Sequence, residues 1–350
     1  MPEERVVERE DLSVTHSSGS PDWWIYRGVG QVVDPDVRDR HWPMPPPSRR
    51  FAGAPDLPVP EFDLTDSARH LGRAPFAGFN RPEVLNRVNA AIALARPLLV
   101  TGRAGVGKTA LAYSIARELG LGRVLRWPTT PRSTVQSALY EFDSAGWIHA
   151  AEPRDRRSVG DFVRLGPLGT AFLPHRTPRV LVVEGIDLAD FALPFDLLPV
   201  LADGGFEIPE LARVREDPEI TVRTADPGGT ARIGGGVVNC HAFPLVIATS
   251  EGERDLPPAF RRRVVHLELP EPTVDELRLV VDAHFPEEQG AFVDSLVDLF
   301  VQFRAEHAVA DVGRLLDAVH VFRSSDQIAA DPARRDEVLR VLWHDTVERT

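Results

Sequence analysis

The sequence predicts an α/β protein: a parallel five-stranded sheet flanked by helices, followed by a small all-α lid. Three observations predict it. From about residue 80, short apolar runs alternate with stretches of helical spacing, the pattern of parallel strands joined by crossover helices. A glycine-rich loop at 102–107 joins one of those runs to a helix. After Pro270 the strand signals stop and only amphipathic helical runs remain. A chain of 350 residues, 43% of them hydrophobic, can bury the core that such a fold requires.

Residues 1–60 stand apart, rich in Pro, Arg and Asp, and predict an extended arm. Trp23-Trp24-Ile25-Tyr26-Arg27-Gly28 breaks the polarity of that arm. Adjacent tryptophans predict an anchor, on the chain's own core or on a neighbouring subunit. Val84, Leu85, Val88, Ala91 and Ile92 share one face of a helix over 84–95. The first strand is 98–101, and the helix after the loop runs over 108–119 with Gly120 as a left-handed stop. Further strands are expected at 124–127, 180–183, 245–249 and 264–269. Residues 206–240 predict a short helix and a hairpin, with 221–224 facing 236–238 across Pro227-Gly228-Gly229. Thr273-Val274-Asp275-Glu276 is a capping box, in which hydroxyl and carboxylate each satisfy an orphan N–H. Helices follow at about 287–305, 311–323 and 332–345, the last with Asp331 as N-cap and Pro332 at its first position.

Composition removes several function classes. The net charge is −12, a poor basis for sequence-independent nucleic-acid binding, which rests on basic patches. Cys240 is the sole cysteine, so neither a disulfide framework nor a multi-thiolate metal site is expected. Met1-Pro2-Glu3-Glu4-Arg5 does not read as a signal peptide, and no apolar run approaches the ~20 residues of a membrane helix. The cytoplasm is the expected location. His41, His70, His149, His175 and His241 are scattered, with neither metal-ligand spacing nor a readable Ser/His/Asp set.

One motif carries chemistry. Gly102-Arg103-Ala104-Gly105-Val106-Gly107-Lys108-Thr109 matches G-x-x-x-x-G-K-[ST] in full. Glycines let backbone N–H groups converge on phosphate oxygens, and the helix N-terminus adds positive charge. Lys108 is expected between the β- and γ-phosphates of ATP, with the Thr109 hydroxyl on Mg²⁺. Lys108 is also the only lysine, and every other basic residue of the 40 is arginine. A compact ammonium fits between phosphates where a planar guanidinium fork does not.

Several segments together resemble the MoxR branch of the AAA+ ATPases. They are the loop entry at 97–102, the glycine-punctuated 164–169, and Val180-Leu181-Val182-Val183-Glu184-Gly185-Ile186-Asp187. Phe206-Glu207-Ile208-Pro209-Glu210 and the stretch 248–263 add to it. The arm at 22–28 is similar to one in MoxR-like proteins encoded beside von Willebrand factor A-domain partners. The resemblance covers most of the chain. It implies a P-loop AAA+ core at 61–270 and a helical lid at 271–350, with ATP and Mg²⁺ as cofactors. It further implies a homo- or hetero-oligomeric ring acting on a protein partner, such as a von Willebrand factor A-domain protein. Arg263, with Arg262 as the alternative, aligns with the finger that completes a neighbour's site. Arg314 aligns with the lid arginine that senses the γ-phosphate.

Two departures bear on mechanism. Where the family carries Asp then Glu, this chain has Glu184 then Gly185. Glu184 keeps a carboxylate for the magnesium shell, beside Thr109, but Gly185 has nothing to activate water. Where the family has a water-positioning Asn, this chain has Glu251. Asp187 is the nearby carboxylate available to substitute; its other expected role is to cap a helix from about Leu188. Loss of a water-positioning group slows phosphoryl transfer by orders of magnitude. Two readings follow: an ATPase working as an oligomeric, chaperone-like remodeller, or a nucleotide-gated binding module with little or no hydrolysis. The acidic balance disfavours a DNA motor.

Overall fold

The computed structural model describes residues 21–344 except 56, 59, 151–157, 215–218, 289, 307–310 and 325–331. Its centre is a parallel five-stranded sheet: β1 (Leu98–Thr101), β2 (Leu125–Pro128), β3 (Val180–Glu184), β4 (Leu245–Ser250) and β5 (Val265–Glu268), in the order β5-β1-β4-β3-β2. Leu98 lies opposite both Ile247 and Val265, and Val183 lies opposite Ala248. Layers cover both faces, so the inner strands read as unbroken apolar runs. On one face Leu98, Val100, Val182 and Ile247 pack under α1 (Pro82–Leu94) and α2 (Lys108–Glu118). On the other, Leu99, Trp127, Val183 and Val246 pack under α3 (Leu193–Asp203). Pro82 opens α1, and Gly120 ends α2 at φ +57, the expected left-handed stop.

A second sheet, over Tyr140–Phe142, Val163–Leu165, Glu219–Arg223 and Thr230–Gly234, flanks the core. It corrects the expected hairpin. Glu219–Arg223 pairs with Thr230–Gly234, with Arg223 opposite Thr230. Val237–Asn239 instead pairs with Gly205–Glu207. The turn is the expected one, but the partner is the nearer strand, whose Ala231 and Ile233 fill the buried side.

The C-terminal part is helical: α4 (Val274–His284), α5 (Ala291–Glu306), α6 (Val312–Arg323) and α7 (Pro332–Leu339), with a π-helical turn over Arg340–His344. The Thr273–Glu276 capping box forms. The expected cap at Asp331 falls outside the described residues. Leu277, Leu296, Phe300, Leu315, Phe322 and Trp343 give this part its own core. Together the sheet, its helices and the helical end form the expected α/β core, a parallel five-stranded sheet flanked by helices and followed by an all-α part. Among the described residues no helix is long and apolar enough to cross a membrane.

The arm is seated on its own chain. Asn89, buried in α1, accepts the Ile25 and Tyr26 N–H groups at 2.8 and 3.0 Å and donates to the Tyr26 carbonyl at 2.8 Å. The Tyr26 hydroxyl meets Ser114 at 2.9 Å. Glu118 closes α2 and is fully buried. Its two oxygens accept four backbone N–H bonds, from Arg27 and Gly28 on one side and Val29 and Gly30 on the other. Burial pushes its carboxyl above the ordinary glutamate range, and the four bonds partly offset this.

Candidate nucleotide site

The glycine loop lies between β1 and α2, at the carboxyl edge of the sheet, where open α/β sheets bind ligands. Gly105 has φ +70, and a Cβ there would overlap that of Asp311, the N-cap of α6. Only glycine allows so close an approach of lid to loop. The Lys108 side chain is 7% exposed. Its ammonium donates to the Gly102 carbonyl at 2.7 Å, the Arg103 carbonyl at 2.8 Å and Glu251 Oε1 at 3.2 Å. Thr109 follows at the first turn of α2, half-buried. Ala104 is exposed, Val106 packs on the core, and Arg103 reaches Glu271 at 2.7 Å.

Beside the loop is an apolar cavity of about 200 Å³, walled by Phe79, Val84, Gly107, Leu269, Val312 and Leu316. That is smaller than the ~300–1,000 Å³ of sites enclosing a whole drug-sized ligand. It suits a flat base, with the phosphates outside on the loop. Loop, α1 entry and lid contribute in turn. Arg81, just before α1, is ion-paired with Glu276 of α4 and donates to the Glu271 carbonyl at 2.9 Å. Phe79 lines this wall edge-on to Phe76, with ring centres 5.4 Å apart.

The remaining candidates fall in three places. Glu184, at the end of β3, is bound on both oxygens by Arg126 of β2, each at 2.9 Å. It fits a magnesium shell only after leaving that arginine. Gly185 follows with φ +67, and its N–H reaches Thr249 Oγ1 at 3.1 Å. Asp187 is buried, and its Oδ2 accepts the N–H groups of Glu251, Gly252 and Glu253 at 3.0, 2.9 and 3.0 Å. This corrects the expected helix cap. The helix begins at Leu193, and Asp187 is committed to holding the loop that carries Glu251. Arg314 donates to the Trp343 carbonyl at 2.7 Å, and Trp343 Nε1 donates back to the Arg314 carbonyl at 3.2 Å. Its guanidinium is therefore turned into the lid. Arg263 is exposed beside Arg262 and Arg96, around a separate cavity of about 250 Å³ floored by Leu198 and Leu201.

The structure thus gathers residues 102–109 with Glu251 and the lid. It keeps Glu184 at the neighbouring strand end, holds Arg314 in the lid beside Asp311 with its guanidinium on the Trp343 carbonyl, and places Arg263 elsewhere. Sequence reasoning missed Arg126 and Asp311. A charge between Leu125 and Trp127 in an apolar strand was the one available signal for Arg126.

No protein-family model matches the chain, and no curated protein matches it. Among solved structures it is similar to RuvB of Thermotoga maritima, a Holliday junction branch migration motor. The identity is 17% over 70% of this chain and 61% of that one, with a TM-score of 0.39. A variant of that RuvB gives 15% identity over 80% of this chain and 71% of the other, with a TM-score of 0.42. NtrX of Brucella abortus, solved with ADP, gives 14% over 69% of this chain and 49% of that one, with a TM-score of 0.38. Likenesses this distant say nothing about the chemistry of the site.

Proposed function

We propose that the chain is a nucleotide-gated AAA+ module. It takes an adenine nucleotide with Mg²⁺ on the 102–109 loop and hydrolyses ATP slowly. One observation carries this reading: a single buried lysine, its ammonium held only by loop carbonyls and one carboxylate, beside an apolar slot the size of a base. When bound, Mg²⁺ would neutralise phosphate charge, with Thr109 and a released Glu184 as its protein contacts. Lys108 turns from the carbonyls to the phosphates. The lid, docked on Gly105 through Asp311, senses whether the loop is filled.

Slow turnover follows from the carboxylates. Gly185 has no side chain, Glu184 is tied to Arg126, and Asp187 gives Oδ2 to three backbone N–H groups while its Oδ1 is buried away from water. None is placed to activate a water. A remodelling ATPase is the second reading, favoured by Arg263. That residue is exposed and remote from its own loop, as a finger serving an adjacent copy must be. The resemblance makes a von Willebrand factor A-domain protein the first partner to test.

Calorimetry with adenine and guanine nucleotides plus Mg²⁺, beside a turnover assay, tests the proposal. The expected result is adenine nucleotide binding that Lys108→Ala abolishes, with turnover close to that control. Absence of binding by the folded chain removes the proposal. Rapid turnover lost in Arg263→Ala replaces it with the remodeller.

A further inference from the structure

We infer that Glu251 discriminates against the γ-phosphate, so that this site favours a nucleoside diphosphate over a triphosphate. The inference rests on the proposed nucleotide site and adds its ligand preference.

Four observations lead there. First, the Glu251 carboxylate already lies 3.2 Å from the Lys108 ammonium. A diphosphate needs the loop N–H groups and one side of that ammonium. A γ-phosphate must lie further out, towards the ends of β3 and β4, where Glu251 stands. Second, the Glu251 backbone is fixed. Asp187 holds the N–H groups of residues 251, 252 and 253, and Ser250 Oγ accepts the Gly252 N–H at 3.1 Å. The side chain can swing, but its root cannot retreat. Third, a carboxylate offers a γ-phosphate no donor. It only accepts, so the two groups oppose each other as like charges. Fourth, among the described residues the nearby lid and loop arginines have partners of their own: Arg314 with the Trp343 carbonyl and Asp311, and Arg103 with Glu271.

The effect is bounded. The Glu251 side chain is 45% exposed, so water and salt screen it. A preference of about tenfold is expected, equivalent to about 1.4 kcal/mol, and it should shrink at high ionic strength.

The test is calorimetry with Mg-ADP and Mg-ATP on the full chain, its Glu251→Gln variant and its Glu251→Asp variant. Glu251 is exposed on a loop, and circular dichroism melts check that the variants fold. The wild type is expected to bind ADP about tenfold tighter than ATP. Glu251→Gln should raise ATP affinity about tenfold and move ADP affinity less than about threefold. Glu251→Asp should keep part of the gap. Equal wild-type affinities, or a variant that shifts both nucleotides together, overturns the inference and leaves the nucleotide site standing. If neither nucleotide binds any form, the nucleotide site falls and the inference with it.

Discussion

At the scale of single residues, the chain places two charges where their partners are backbone. Lys108 rests on loop carbonyls, and Glu118 gathers four N–H groups of the arm. Removing Glu118 leaves the buried Gly28 and Gly30 donors unpaired inside the protein, at about 1–3 kcal/mol for each group. Glu118→Ala should therefore lose at least about 2 kcal/mol in a denaturant melt and expose the arm to limited proteolysis at Gly28 and Gly30. A loss under ~1 kcal/mol would mean that the arm is held chiefly by its other anchors, Asn89 on Ile25 and Tyr26 and Arg38 on the Leu119 and Gly120 carbonyls. The sequence revealed Lys108 because its motif is local. It did not reveal Glu251 against Lys108, Arg126 on Glu184 or Asp187 beneath the 251–253 loop. Each of those pairs joins residues brought together only by the sheet order.

At the scale of elements, strand and helix positions were legible where burial was complete. All five core strands and the helices around the loop sit within a residue or two of expectation, because unbroken apolar runs and helical spacing leave few alternatives. Three-residue strands such as Tyr140–Phe142 and Val163–Leu165 carry too little pattern to be read. The hairpin was misassigned because Val237 and Val238 look more strand-like than Thr230–Gly234, whose pattern includes only Ala231 and Ile233 on its buried side. The β3 terminus yields a prediction. Gly185 has φ +67, and a Cβ there would stand 2.9 Å from Leu188 Cδ1. Gly185→Glu, which supplies the carboxylate that this position lacks, should destabilise the fold by about 1–2 kcal/mol from left-handed strain. It should not raise turnover while Arg126 still holds Glu184. A melt beside an ATPase assay checks both halves, and brisk hydrolysis by this variant would show that Gly185 alone limits the chemistry.

At the scale of the whole molecule, core and lid meet through Arg81 with Glu276, Arg103 with Glu271, and Asp311 over Gly105. Such contacts can transmit loop occupancy to the helical end. One contribution to the pH dependence of stability comes from a buried histidine. His175 is buried, its Nδ1 bonded to the Pro58 carbonyl at 3.0 Å and its Nε2 without a partner among the described residues. Burial, then nearby Arg179, lowers its pKa from 6.5 to about 4. The unfolded chain thus takes up this proton before the folded one. Stability from this group is complete above pH 6.5 and declines as pH falls towards about 4. Unfolding free energies across that window should slope less in His175→Asn than in the wild type; identical slopes would assign the decline to carboxylates. One compositional feature reaches beyond folding. With arginine at every other basic position, the protein offers amine-selective acylating reagents a single side-chain target, and that target is sunk in the glycine loop. Acetylation of Lys108, read by peptide mass and so kept apart from the α-amino group, would therefore act as a footprint of that loop, with its extent reporting how often the loop is vacant.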